Sequence, residues 1–293
     1  MPQSGETNSE QVLPPPAPTD RDSPPKDGFR AIRILLLSVA AITLAIVLVV
    51  ALRTHAPDPK QVPSDANPAS LAEIRAITDE ARKASLDGDD EKAIKLTAES
   101  ARRLEAAAAS SKGTDKAVME YAAALANAQN EILKAYINAA GVYSRAGGND
   151  LVGLTDSQQV ESRLRLLNDA IAAHDAVLKY FGSIEQRIPR ELAARGVGEK
   201  DAKDFAAGFS TQANIRNLLA IHQAEHQILL ASRTRFEMLR ASAGRWKVNE
   251  NGLLVVDARF PEKDLAEFNR LGDEITALAK QQGALVEERK AGG

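Results

Sequence analysis

Hydrophobic positions fall into two regimes along this chain. Residues 34–52 read Ile-Leu-Leu-Leu-Ser-Val-Ala-Ala-Ile-Thr-Leu-Ala-Ile-Val-Leu-Val-Val-Ala-Leu, with no charge among them. As a helix this run spans about 28 Å at 1.5 Å per residue, close to the hydrocarbon thickness of a bilayer. It is apolar all round, so it does not read as an amphipathic surface helix. Downstream the pattern changes to apolar residues spaced four and three apart. Val118, Ala122, Leu125, Gln129, Ile132, Tyr136, Ala139 and Tyr143 form one such stripe. A second is Val160, Leu164, Leu167, Ile171, His174, Leu178 and Phe181, and a third is Phe268, Leu271, Ile275, Leu278, Gln282 and Leu285. This spacing marks the seam along which one helix packs against another.

Turn signals divide the pattern into elements. A first helix is predicted over 68–86 and a second over 89–110, broken at Asp87-Gly88-Asp89. A third starts near Thr114, a good N-cap, and ends at Gly147-Gly148. The fourth opens at Thr155-Asp156-Ser157 and is expected to be interrupted at Ile188-Pro189, with a turn at Gly196 to Gly198. A fifth is expected over about 200–243, about 65 Å long if continuous. Trp246-Lys247-Val248 and Leu253-Leu254-Val255-Val256 flank Asn251-Gly252, a hairpin turn signal, so a small β-hairpin is expected near 246–256 with Trp246 closing the end of the bundle. Pro261 then opens a last helix. The predicted fold class is all-α: a single transmembrane helix followed by an elongated antiparallel helical bundle over 68–288.

Composition agrees with helix. Alanine is abundant and aromatic residues are 4% of 293, whereas strands draw on β-branched and aromatic side chains. Residues 1–33 are polar and rich in proline, and such a segment cannot bury enough apolar surface to offset its ordering entropy. It reads as a disordered tail. Residues 53–67 read as a polar linker. A cleaved signal peptide is the rival reading of 34–52, but its apolar core runs about 7–15 residues and ends at a small-residue cleavage site. Arg21, Lys26, Arg30 and Arg33 precede the apolar run, while Arg53 and Lys60 follow it. That bias places the N-terminus in the cytoplasm and the large domain outside. No Asn-x-Ser/Thr acceptor occurs in the chain, which favours a bacterial inner membrane with the domain in the periplasm.

Charge and cysteine content narrow the chemistry. The residues up to Arg53 balance in sign, so the net −3 belongs to the part that follows. That is not the clustered basic surface nucleic acid requires. With no cysteine, disulfides, thiolate metal sites and a cysteine nucleophile are excluded. No glycine-rich phosphate loop or Gly-x-Ser-x-Gly elbow is present, no catalytic residue is assigned, and no cofactor is expected.

Two short segments resemble known families. Gly88-Asp89-Asp90-Glu91-Lys92-Ala93-Ile94-Lys95-Leu96 resembles the second helix of a tetratricopeptide repeat, but no second copy follows at that family's period of about 34 residues, so it reads as a generic helix turn. His222-Gln223-Ala224-Glu225-His226 resembles the His-x-x-Glu-His zinc motif of the inverted zincins. The resemblance implies His222 and His226 as zinc ligands and Glu225 as general base. It covers five residues, and the chain is too short to supply the family's further glutamate ligand at its separation.

His222, Glu225 and His226, joined by His174 from the preceding helix, are thus candidate metal ligands. The rival reading makes the histidines core side chains hydrogen-bonded to neighbours, and acid would then destabilise the bundle as they charge. Register argues against convergence: a turn between Ile188 and Glu199 sets His174 opposite residue 213, about 13 Å from His222. Arg233, Glu237 and Arg240 continue the face as an expected ion-pair cluster. The resulting expectation is a membrane-anchored structural or protein-interaction module, with a protein partner or a second copy. The alternatives are a ligand- or metal-binding sensory bundle and a zinc-dependent hydrolase.

Overall fold

The computed structural model describes residues 68–291, apart from 88 and 250–252. The tail, the apolar run 34–52, the linker and the Asn251-Gly252 turn lie outside the described residues. Among the described residues no helix is long and apolar enough to cross a membrane. What they form is predominantly helical, as expected, with one small antiparallel sheet.

The helices are α1 (Pro68–Asp87), α2 (Asp90–Ser110), α3 (Gly113–Arg145), α4 (Ser157–Ala193), α5 (Glu199–Gln212), α6 (Ile215–Ala241) and α7 (Glu262–Ala291), with strands β1 (Trp246–Val248) and β2 (Leu254–Val256) between the last two helices. Packing runs chiefly between sequential partners: α1 on α2, α2 on α3, α3 on α4, α4 on α6 and α6 on α7. Alanines let α1, α2 and α3 approach closely, with Ala81, Ala93, Ala101, Ala122 and Ala123 all buried. Thr78 Oγ1 and Ser100 Oγ meet at 3.0 Å between α1 and α2. The Tyr180 hydroxyl donates to the Leu125 carbonyl at 2.9 Å, tying α4 to α3. The stripes read from the sequence face inward in part: Val118, Leu125, Tyr136, Leu164, Leu167, Phe181 and Phe268 are buried, whereas Ile132, Leu178, Ile275 and Leu278 are half-buried and Leu133 and Val177 beside them are buried.

Three boundaries differ from expectation. Helix α3 begins one residue before Thr114, at Gly113, and its N-cap position is Lys112 with no side-chain cap bond. Helix α4 is not interrupted at Ile188-Pro189 but continues to Ala193 with Pro189 inside it. Proline removes one backbone donor, and the buried side chains of Ile188 and Leu192 hold the last turn on the core regardless. The helix ends where Gly196 takes φ +81° and the Val197 amide donates to the Leu192 carbonyl. The fifth predicted helix is two helices. Asn214 adopts a left-handed conformation, φ 44° and ψ 55°, and its side chain accepts from the Asn217 amide to start α6. Arg289 from α7 donates to the carbonyls of Ala213 and Asn214, at 2.9 and 3.2 Å, and so secures the joint.

The hairpin pairs Trp246 with Val256 and Val248 with Leu254. Trp246 packs against the core and donates its indole N–H to the Leu239 carbonyl at 2.7 Å, closing the end of α6.

Candidate functional site

Three helices meet around a polar cluster inside the bundle. Helix α3 supplies Tyr136 from its inward stripe, α4 supplies His174, and α6 supplies His222 and Glu225. Residues three apart on a helix share a face, so His222 and Glu225 both look toward α3 and α4. His174 and His222 are wholly buried and Glu225 is 3% exposed. The Tyr136 hydroxyl donates to Glu225 Oε1 at 2.8 Å. His174 Nε2 lies 3.2 Å from His222 Nδ1. The other carboxylate oxygen, Glu225 Oε2, is 3.6 Å from His174 Nε2 and 3.8 Å from His222 Nδ1, and it has no hydrogen-bond partner. Aromatic rings wall the cluster: Phe181 stacks on His222 with centroids 5.6 Å apart, and Tyr136 lies 4.6 Å from the His174 ring.

Register was expected to keep His174 and His222 apart, and it does not. The expectation treated α4 and the next long helix as a simple hairpin. Helix α5 instead folds as a separate element, so the antiparallel partner of α4 is α6 in a shifted register. Glu161 meets Arg240 at 3.4 Å, Asp175 meets His226 at 2.9 Å and Phe181 stacks on His222.

His226 stacks its ring on His174 with centroids 5.7 Å apart but offers the cluster no converging donor atom. Its Nε2 lies against Asp175 Oδ1 at 2.9 Å, with the Asp175 side chain 59% exposed. At 100° per residue, 225 and 226 fall on opposite sides of 222. The 225 side is covered by α3 through Tyr136, and the 226 side opens toward solvent. Glu225 is 3% exposed and accepts from Tyr136 of α3, whereas His226 is only partly buried. The roles implied by the inverted-zincin resemblance therefore do not apply, because His222 and His226 do not share a centre with Glu225 beside it as base. Tyr136 and Phe181 were read only as seam residues. The signal for Tyr136 was its hydroxyl, which needs a partner once a tyrosine is placed on an inward stripe.

Burial sets the protonation of the cluster. It lowers both His174 and His222 to about 3, with the Arg289 charge adding to the effect at His222 and the Glu225 carboxylate opposing it at His174. Burial raises Glu225, against the pull of His174 and of the Tyr136 hydrogen bond. Tyr136 is raised well above its ordinary value by burial and by the adjacent carboxylate. Both imidazoles are thus neutral at pH 7, the form that carries a free lone pair. Farther along α6, Arg233 and Glu237 pair at 3.9 Å on the exposed face.

No family model matches this chain, and it has no match among curated proteins or among solved structures.

Proposed function

We propose that this chain is a single-pass membrane protein whose helical bundle serves as a structural or protein-interaction module outside the cytoplasm. One observation carries the reading: the uncharged apolar run 34–52, flanked by more positive charge before it than after it, precedes a large helical body. The body supports it through its architecture. Long helices joined mainly to their sequential neighbours expose long lateral faces, as stacked helical arrays do. Those faces carry many exposed ion pairs, among them Lys92 with Glu80, Arg103 with Glu73 and Arg270 with Glu267 and Glu274. A partner would therefore meet a polar, charge-patterned surface.

The test is fractionation and in-membrane crosslinking of the full-length chain. Carbonate-resistant membrane association, a C-terminal reporter active only outside the cytoplasm, and reproducible crosslinks from 68–288 to one protein or to a second copy are the expected results. Release of the chain by carbonate would overturn the anchor. A cytoplasmic reporter signal would overturn its direction, and the absence of any reproducible crosslink would remove the interaction role.

A further inference from the structure

We propose that His174 Nε2, His222 Nδ1 and Glu225 Oε2 bind one divalent transition-metal ion of the zinc class within the bundle. The inference is independent of the membrane reading, because it rests only on the packed interior.

The donor set is two neutral imidazoles and one carboxylate, ligand types that a borderline ion such as zinc accepts and that calcium or magnesium, which take oxygen, do not favour. The spacing fits as well. A triangle with sides of 3.2, 3.6 and 3.8 Å has a point about 2 Å from all three corners. Zinc is held about 2.0–2.1 Å from imidazole nitrogen and about 2.0–2.2 Å from carboxylate oxygen. Without an ion, an N–H of one neutral imidazole bridges to the other nitrogen at 3.2 Å; the ion would replace that bond.

The carboxylate carries the second, separate observation. Glu225 Oε2 is buried and has no hydrogen-bond partner, while its sister oxygen accepts from Tyr136. A buried carboxylate oxygen left unpaired is costly. A cation at the common point would pair it, and the Tyr136 bond would hold the carboxylate plane in place, as outer partners of metal ligands commonly do. Glu225 is thus a ligand here and not a base. The ion would join α4 to α6, and through Tyr136 to α3. His226, engaged with Asp175 on the solvent side, is outside the set.

The test uses the full-length chain, stripped with a chelator and dialysed, then given Zn2+ alone or Co2+ alone. Each ion is added both to the native protein and during refolding, so that slow entry into a buried site is not mistaken for lack of binding. One equivalent per chain is expected, with Co2+ giving the intense visible bands of a site with four ligands or fewer. His174→Gln, His222→Gln and Glu225→Gln should each weaken Zn2+ binding by at least about 100-fold, since each removes a ligand outright where loss of an outer partner already costs 10–100-fold. His226→Gln should weaken it less than any of the three, because its ring stacks on His174 but supplies no ligand. Glu225→Gln keeps shape and the Tyr136 acceptor, so it reads the site even if a histidine variant misfolds. No stoichiometric uptake by either route would overturn the proposal. So would uptake that survives all three substitutions, or a weak octahedral Co2+ spectrum, either of which places the ion on the surface.

Discussion

Burial holds three phenols in their protonated form: Tyr143, and the neighbouring Tyr121 and Tyr180, which share Arg187. Tyr121 is pushed up to about 12, chiefly by burial and then by the Glu191 charge, with Arg187 and Arg195 pulling the other way. Tyr143 and Tyr180 are raised further, again chiefly by burial. In the unfolded chain a tyrosine ionises near pH 10. Below that pH both states keep their protons and the phenols make no pH-dependent difference. As pH rises past about 10 the unfolded state releases protons that the folded state retains, so stability falls, and for Tyr121 the loss continues up to about 12. Urea midpoints measured from neutral to strongly alkaline pH should be level until about pH 10 and then drop steeply. Tyr180→Phe should flatten that drop while forfeiting the bond to the Leu125 carbonyl, worth about 0.5–1.5 kcal/mol at neutral pH. A midpoint unchanged well above pH 10 would contradict the burial of these hydroxyls.

At the scale of the element, the loop between α3 and α4 holds three glycines of positive φ, of which Gly147 is also pressed against a side chain. Gly147 has φ +103°, and a Cβ placed on it would lie 2.5 Å from the Arg163 guanidinium. That guanidinium donates to the Asp150 carbonyl and so organises the loop. Gly147→Ala should therefore cost about 1–3 kcal/mol in chemical unfolding. Gly182 is the contrast: it is exposed within α4 and a Cβ there meets nothing within 4 Å. Gly182→Ala should stabilise the protein by about 0.5–1 kcal/mol. Equal effects from the two substitutions would refute this distinction. Helix ends were partly legible for the same local reasons. Gly147-Gly148 and Asp156 mark the boundaries they were expected to mark, because a left-handed glycine and an N-capping carboxylate act within a few residues. The joint at Ala213-Asn214 was not legible. Its left-handed asparagine is held by Arg289, some 75 positions away, and no local pattern reports that contact.

Across the whole molecule, stability should grade from the centre outward. Helices α3, α4 and α6 meet around Tyr136, His174 and Glu225, whereas α7 packs mainly on α6 and α1 mainly on α2. Among its 30 residues α7 buries Phe268, Leu271, Gln282 and Val286, while α4 buries thirteen of 37. Amide hydrogen exchange should be fastest in α1 and α7 and slowest in α3, α4 and α6, since local opening costs least where few apolar contacts break. Phe268, which lies under the Arg235 guanidinium at 4.1 Å, is the main anchor of α7. Phe268→Ala should cost about 3–5 kcal/mol and raise exchange along α7 before it affects α3. Uniform protection of all seven helices would argue against this gradient.

The sequence by itself determined the helical class, most of the inward stripes, the hairpin strands and the residue types able to hold a metal. Each follows from periodicity or from turn chemistry, which act over a few residues. Tertiary structure alone decided that His174 meets His222, that Glu225 turns inward while His226 turns out, and that Tyr136 completes the cluster. Those outcomes depend on the register between α4 and α6 and on Tyr136 reaching across from α3. Register between distant helices is set by the sum of packing along their full length and by the path of the chain through α5. A shift of a few residues there, invisible to any local pattern, moves a side chain by about 1.5 Å per residue and separates a histidine that touches its partner from one that does not.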